Sequence, residues 1–377
     1  MKNKRLNYVT NFNKDAVGGG WDGINNRLFD ALKDKINCRY IGPINPPPFF
    51  DQKIKSKLLR IFFSKGDFFF FSNKRLNKIT NLINDEKLKG PVFYYGATPW
   101  VKIKNVHEYY TYLDVCFHDY VKLFSSFDSF NLTDLQRISN LEAEFLSNAK
   151  HIFWGSTWAQ KRAEKIYNRN FLNSTVISTG GVIDIPKKAT TPENRFKKKK
   201  ILFISTNFEA KGGKYAFQTV EKLNSLGYKF TLEIVGSQPQ TDYLDYNFVN
   251  YHGYLNKTNP LDLQKLTTLY DEAFMLLHPT SMDTMGAVIA EAGYFGLPCL
   301  APDAFGIPDL IKDGQTGLLI NTPIDVQEII ENIVKCVNSK TFYLNLVNGV
   351  NDFMRNDRSW NSIANKISKV INEDINS

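Results

Sequence analysis

Apolar positions fall in short blocks separated by longer stretches of helical spacing. Residues 6–11 read as a strand, followed by a glycine cluster and then Ile24, Leu28 and Leu32 at the spacing of one helical face. Further strand-like blocks lie at 39–41, 91–96, 109–115 and 151–155, with helical patterning such as 135–148 between them. The second half repeats the rhythm: strand 201–205, helix 213–226, strand 231–235, helix 261–272, strand 274–278, a helix from about 285 to 295, and strand 298–301. Short apolar strands alternating with helices predict parallel sheets with crossover helices, here twice over. The fold class expected is α/β with two Rossmann-like lobes.

A polar stretch at 184–193 and the lysines at 197–200 separate the two halves and read as a linker. This predicts an N-terminal domain at 1–185, a C-terminal domain at 186–358, and a closing helix at 359–377 that returns to the first lobe. In that helix Trp360, Ile363, Ile367, Val370 and Ile371 share a face.

A length of 377 residues suits two domains, and 43% hydrophobic with 14% aromatic residues is ample for two cores. Cys38, Cys116, Cys299 and Cys336 are scattered without paired ligand spacing, which argues for a reducing compartment and against zinc. The first residues lack an apolar leader, and no apolar run is long enough to span a bilayer. The expected location is the cytoplasm or the inner face of a membrane. The net charge of +9 is uneven: residues 1–185 hold 27 Lys/Arg against 17 Asp/Glu. Such a half is drawn to an anionic membrane, a phosphate-bearing acceptor or a nucleic acid.

The segment from His278 to Ala292 carries the most chemistry. An apolar strand ends at Leu277, and a helix is expected to begin near Asp283, where capping alone would account for an aspartate. Glu291 lies among Ala, Val and Ile, where a carboxylate needs hydrogen-bonding partners. Amides from Met285 to Val288, including those of Gly286 and Ala287, are placed to hold a diphosphate. Asp283 and Glu291, with Gly286 between, resemble the Glu-x7-Glu signature of family-four retaining glycosyltransferases (glycosyl transferases group 1). Gly296-Leu297-Pro298, Phe305-Gly306-Ile307-Pro308 and 313–319 fit the same pattern. The resemblance implies a GT-B fold, with the two lobes facing a central cleft. It also implies that Asp283 contacts the transferred sugar and Glu291 the donor ribose. Asp stands at 283 where the family has Glu.

Three other segments add to this. Lys211 follows strand 201–205 beside Gly212 and Gly213 and can pair with a diphosphate. The family places an arginine five residues before this lysine, but Thr206 stands there, leaving Asn207 or Lys214 to compensate. Gly19 and Gly20, after the first strand, resemble the family's glycine loop that faces the diphosphate, though the spacing is wrong for a dinucleotide fingerprint. Asp114 and His118, near the end of strand 109–115, are candidates to face the donor sugar.

No two aspartates are separated by one residue, so the metal-binding motif of the other major transferase fold is absent, and no metal or cofactor is expected. The reading is a retaining, metal-independent glycosyltransferase using a nucleotide-sugar donor and a glycan or lipid-linked acceptor in bacterial surface-polysaccharide assembly. Rivals are a sugar-nucleotide epimerase or an inactive glycan- or nucleic-acid-binding protein on the same fold; no nucleic-acid partner is expected of the enzyme.

Residues 53–79 hold eight Lys/Arg, one acid and phenylalanines at 62, 63 and 68–71. An anionic membrane surface is the partner this suggests, with Lys53, Lys55, Lys57 and Arg60 meeting lipid and Phe68 to Phe71 turned into the core.

Overall fold

The computed structural model describes residues 5–14, 20–104, 107–187 and 192–376. The chain divides into two compact units. The first takes residues up to 16, 25–177 and those from 364 onward; the second takes 17–24 and 178–363.

The first unit is built on six parallel strands: β1 (Leu6–Val9), β2 (Cys38–Ile41), β3 (Val92–Tyr95), β4 (Tyr109–Leu113), β5 (His151–Trp154) and β6 (Ser174–Val176). Their order is β2-β1-β3-β4-β5-β6. The four central strands are apolar or aromatic at nearly every position and almost wholly buried, as strands covered on both faces must be. In the closing helix Trp360–Asn376, Asp374 accepts a hydrogen bond from the Tyr110 hydroxyl of β4 at 3.1 Å.

The second unit repeats the plan with β7 (Lys200–Ser205), β8 (Thr231–Gly236), β9 (Val249–Tyr251), β10 (Met275–Leu277), β11 (Cys299–Pro302) and β12 (Gly317–Ile320). Their order is β12-β11-β10-β7-β8-β9, all parallel. Successive strand residues point to opposite faces, so Ile201 and Phe203 join one core layer while Leu202 joins the other. The strand order reverses between β7 and β10. In such sheets the crevice beyond the carboxyl ends at this switch point is where ligands bind.

Three strands, β6, β9 and β12, were not marked by the hydrophobic pattern. The first two are half-exposed three-residue edge strands with little apolar content. The boundary segment also differs from the expected linker. A helix, Pro192–Lys198, precedes β7, and its Arg195 is fully buried, donating to the carbonyl of Phe295 at 2.8 Å. Of the phenylalanine run, Phe68 is buried against Phe117 and Phe130, but Phe70 is 46% exposed, so only part of it is core.

Candidate functional site

The loops after β7 and β10 meet at the switch point, and their side chains bond to one another. After β10 the chain runs through His278 to Gly286 before the helix Ala287–Tyr294 begins. That start is four residues later than Asp283, so Asp283 does not cap the helix. Its Oδ1 instead accepts from the amides of Met285 at 3.2 Å and Gly286 at 2.7 Å. The amides of Met285 and Gly286 are therefore taken, and those of Ala287 and Val288, the first two of the helix, are the ones with no intrahelical acceptor. Gly286 makes the turn in the left-handed region, with φ +64°, where a Cβ would also crowd Ile289 and Leu310. Only about 6 Å of helix rise separates Ala287 from Glu291, half of what a start at Asp283 would give.

Asp283 Oδ2 accepts from Lys211 Nζ and from His278 Nε2, both at 2.9 Å. Burial alone would raise this carboxyl's pKa. The imidazole and ammonium beside it outweigh burial and hold it well below the usual carboxylate range. An ionised carboxylate only accepts, so His278 carries its proton on Nε2. His278 is buried at the end of β10, and its Nδ1 has no partner among the described residues.

Lys211 reaches this point from the turn after β7. The turn is tied by Asn207, whose side-chain oxygen accepts from the Ala210 amide and whose carbonyl accepts from the Lys211 amide. Gly212 follows with φ +79°, so close to the neighbouring loop that a Cβ would lie 1.9 Å from the Pro279 carbonyl oxygen. Lys211 Nζ also donates to the Met282 carbonyl at 2.7 Å. With Asp283 this engages two of its three protons.

Glu291, four residues into the helix, is fully buried and fully partnered. Lys257 Nζ donates to both its oxygens, at 2.6 and 2.8 Å, the Tyr270 hydroxyl to Oε2 at 2.9 Å, and the Val182 amide to Oε1 at 3.2 Å. Burial, then the nearby Glu291 carboxylate, pushes the Tyr270 hydroxyl well above its ordinary pKa, so it stays a donor. Gly181 lets the chain lie against the carboxylate stem, since a Cβ there would meet Glu291 Cγ at 2.6 Å. Lys257 is the partly exposed member of the cluster.

The candidates from the first half of the chain stand apart in kind. Asp114 is buried just past the carboxyl end of β4. His118 is not on that strand; it is the second residue of the helix Phe117–Phe124, its ring 5.2 Å from that of Phe127. Its neighbour Asp119 is bound by both the Nε and Nη2 of Arg162 at 2.7 Å. Gly19 lies outside the described residues. Gly20 has φ +96° and accepts from the Ile24 amide at the start of the helix Trp21–Lys33.

His278, Lys257 and Tyr270 were not singled out from the sequence. His278 had a usable signal, a histidine at a strand end five residues before an aspartate. Lys257 and Tyr270 carry none, being a loop lysine and a core-face tyrosine brought in by tertiary packing. Among the described residues no group of three His, Cys, Asp or Glu is placed to hold a metal ion.

Residues 185–353 match the family model described as Glycosyl transferases group 1. Over 147 residues the chain is 27% identical to an "Uncharacterized 41.2 kDa protein in cps region" of Klebsiella pneumoniae, covering 38% of each chain. The curated relatives it matches are covered over only 15% to 38% of their own length. Among solved structures, sucrose-phosphate synthase of Thermosynechococcus elongatus superposes with a TM-score of 0.70 at 15% identity, covering 98% of both chains. HepE of Anabaena, in complex with UDP and glucose, does so with a TM-score of 0.63 at 15% identity, over 98% of this chain and 100% of that one. The fold is therefore GT-B-like, with its two parallel six-stranded sheets.

Proposed function

From the match of residues 185–353 to the glycosyl transferases group 1 model, we propose a retaining, metal-independent glycosyltransferase acting in bacterial surface-polysaccharide assembly. It moves a sugar from a nucleoside-diphosphate sugar to a glycan or lipid-linked acceptor. The observation that carries the proposal is the convergence of Lys211, Asp283 and the open amides of Ala287 and Val288 at the switch point of the second sheet. The likeness to a UDP-complexed structure and to a protein of a cps region supports the donor class and the setting.

In this mechanism the leaving diphosphate lies against the positive end of the helix Ala287–Tyr294 and accepts a hydrogen bond from the remaining N–H of the Lys211 ammonium. These groups are fixed before the bond breaks, so they stabilise charge as it develops. Asp283, oriented by His278 and Lys211, meets the sugar hydroxyls. Glu291, itself fully buried, acts on the ribose through Lys257, the partly exposed member of its cluster. The acceptor hydroxyl attacks on the face the diphosphate leaves, and a phosphate oxygen takes its proton.

Calorimetry with a panel of nucleoside diphosphates in the presence of a chelator tests this. At least one should bind, and Lys211→Ala should weaken it by about 1.5–3 kcal/mol, the worth of a charge-assisted hydrogen bond. Equal affinity in mutant and parent would remove Lys211 from the site, and no binding by any member would remove the donor class.

A further inference from the structure

The helix Phe50–Phe63 turns its apolar side away from the protein. Phe50, Ile54, Leu58, Ile61 and Phe62 follow one another at intervals that place them on one face, and all five are exposed, from 41% at Ile54 to 77% at Phe50. A helix that served only to cover a core would present that face inward. Here the one buried residue is Ser56, on the opposite side, whose hydroxyl donates to the Asp67 carbonyl at 2.7 Å. An exposed contiguous apolar face of this kind marks an interaction surface.

Charge around the stripe identifies what covers it. Lys53, Lys57 and Lys65 are exposed with no carboxylate partner among the described residues. Lys55 is paired to Asp67 at 2.7 Å, Asp51 is neutralised by Lys74 at 2.9 Å, and Arg60 lies over the Phe130 ring. The uncompensated charge on this face is thus wholly positive. A two-fold pairing with a second copy would bring that charge against itself. An anionic bilayer meets both features, since lipid phosphates attract the lysines and the phenylalanines enter the headgroup–acyl boundary. Among the described residues no helix is long and apolar enough to cross a membrane, so the contact is one of a helix lying in the surface.

We propose that helix Phe50–Phe63 is a membrane-docking element, with the stripe from Phe50 to Phe62 inserted in an anionic lipid surface and Lys53, Lys57 and Lys65 on its phosphates. The proposal goes beyond the transferase chemistry and stands independently of it. It also shifts the contact from that expected from sequence, because Lys55 and Arg60 are engaged within the protein.

Two variants test it against vesicles of phosphatidylglycerol mixed with phosphatidylcholine. Each lysine near such a surface is worth about fivefold in partitioning, or about 1 kcal/mol. Reversing three, as Lys53→Glu, Lys57→Glu and Lys65→Glu, should lower binding at low salt on the order of a hundredfold or more. Phe50→Ser with Ile61→Ser and Phe62→Ser should abolish it, and added salt should weaken the parent's binding. Because these side chains are exposed, both variants should keep the parent's melting temperature and nucleoside-diphosphate affinity. The proposal is overturned if the parent does not co-sediment with these vesicles, binds pure phosphatidylcholine equally well, or binds unchanged in the serine variant. A dimer lost in the serine variant, without vesicle binding by the parent, would overturn it in favour of a second copy.

Discussion

Asp283 accepts from four donors, and two of them come from the ends of neighbouring strands: His278 directly after β10 and Lys211 from the turn after β7. Its carboxyl is held below the usual range, so its stabilising contribution is whole above the unfolded value of about 3.9 and fades only as pH falls below it. Asp283→Asn should therefore cost about 1–3 kcal/mol of stability at neutral pH. In urea unfolding the gap to the parent should narrow below about pH 4; a gap unchanged there would exclude the ionised carboxylate as its source. Glu291→Gln should act on two observables at once. It takes one acceptor oxygen from Lys257, Tyr270 and Val182, lowering stability by about 1–3 kcal/mol, and it should also raise the donor KM. Lost stability with an unchanged donor KM would confine Glu291 to the protein interior. Both carboxylates were legible in the sequence because their spacing is local. Their partners were not, since Lys257 lies 34 residues from Glu291 and arrives only through the packing of the second unit.

Two glycine turns, at Gly212 and Gly286, bring the elements of the site into register. The turn after β7 passes so near the loop after β10 that only glycine fits at 212, whereas Gly227, with a similar φ of +87°, has nothing within 4 Å of a Cβ position. Both Gly212→Ala and Gly227→Ala carry the strain of a left-handed backbone, of order 1–3 kcal/mol. Only Gly212→Ala should also displace Lys211 and lose nucleoside-diphosphate binding. Equal affinity in the two variants, measured by calorimetry, would show that the approach of the loops does not set the site. Strand and helix types were readable wherever apolar blocks were long. The edge strands β6 and β9 were hidden by their polar, half-exposed composition, and the helix Pro192–Lys198 by the lysines that surround Arg195 and Phe196. The start of the helix Ala287–Tyr294 was misplaced because Asp283 looks like a cap, while its side chain bonds to turn amides short of the helix.

The alternation of strands and helices along the whole chain was enough to anticipate two parallel α/β sheets, and the structure supplies their order. That order matters for function, because it sets β7 beside β10 and so brings together two loops that lie about 70 residues apart. No local pattern encodes that adjacency. The proposed membrane contact draws on the basic excess of residues 1–185 through the exposed helix Phe50–Phe63, and the proposed nucleotide site lies in the second unit. Turnover joins these parts. With sugar nucleotides supplied one at a time, in chelator and with a glycan or lipid-linked acceptor, product should be followed by proton NMR at the anomeric centre. A retaining transferase releases one nucleoside diphosphate per new glycosidic bond, and that bond keeps the donor's anomeric configuration. An inverted linkage, or an epimerised sugar nucleotide formed without diphosphate release, would contradict it.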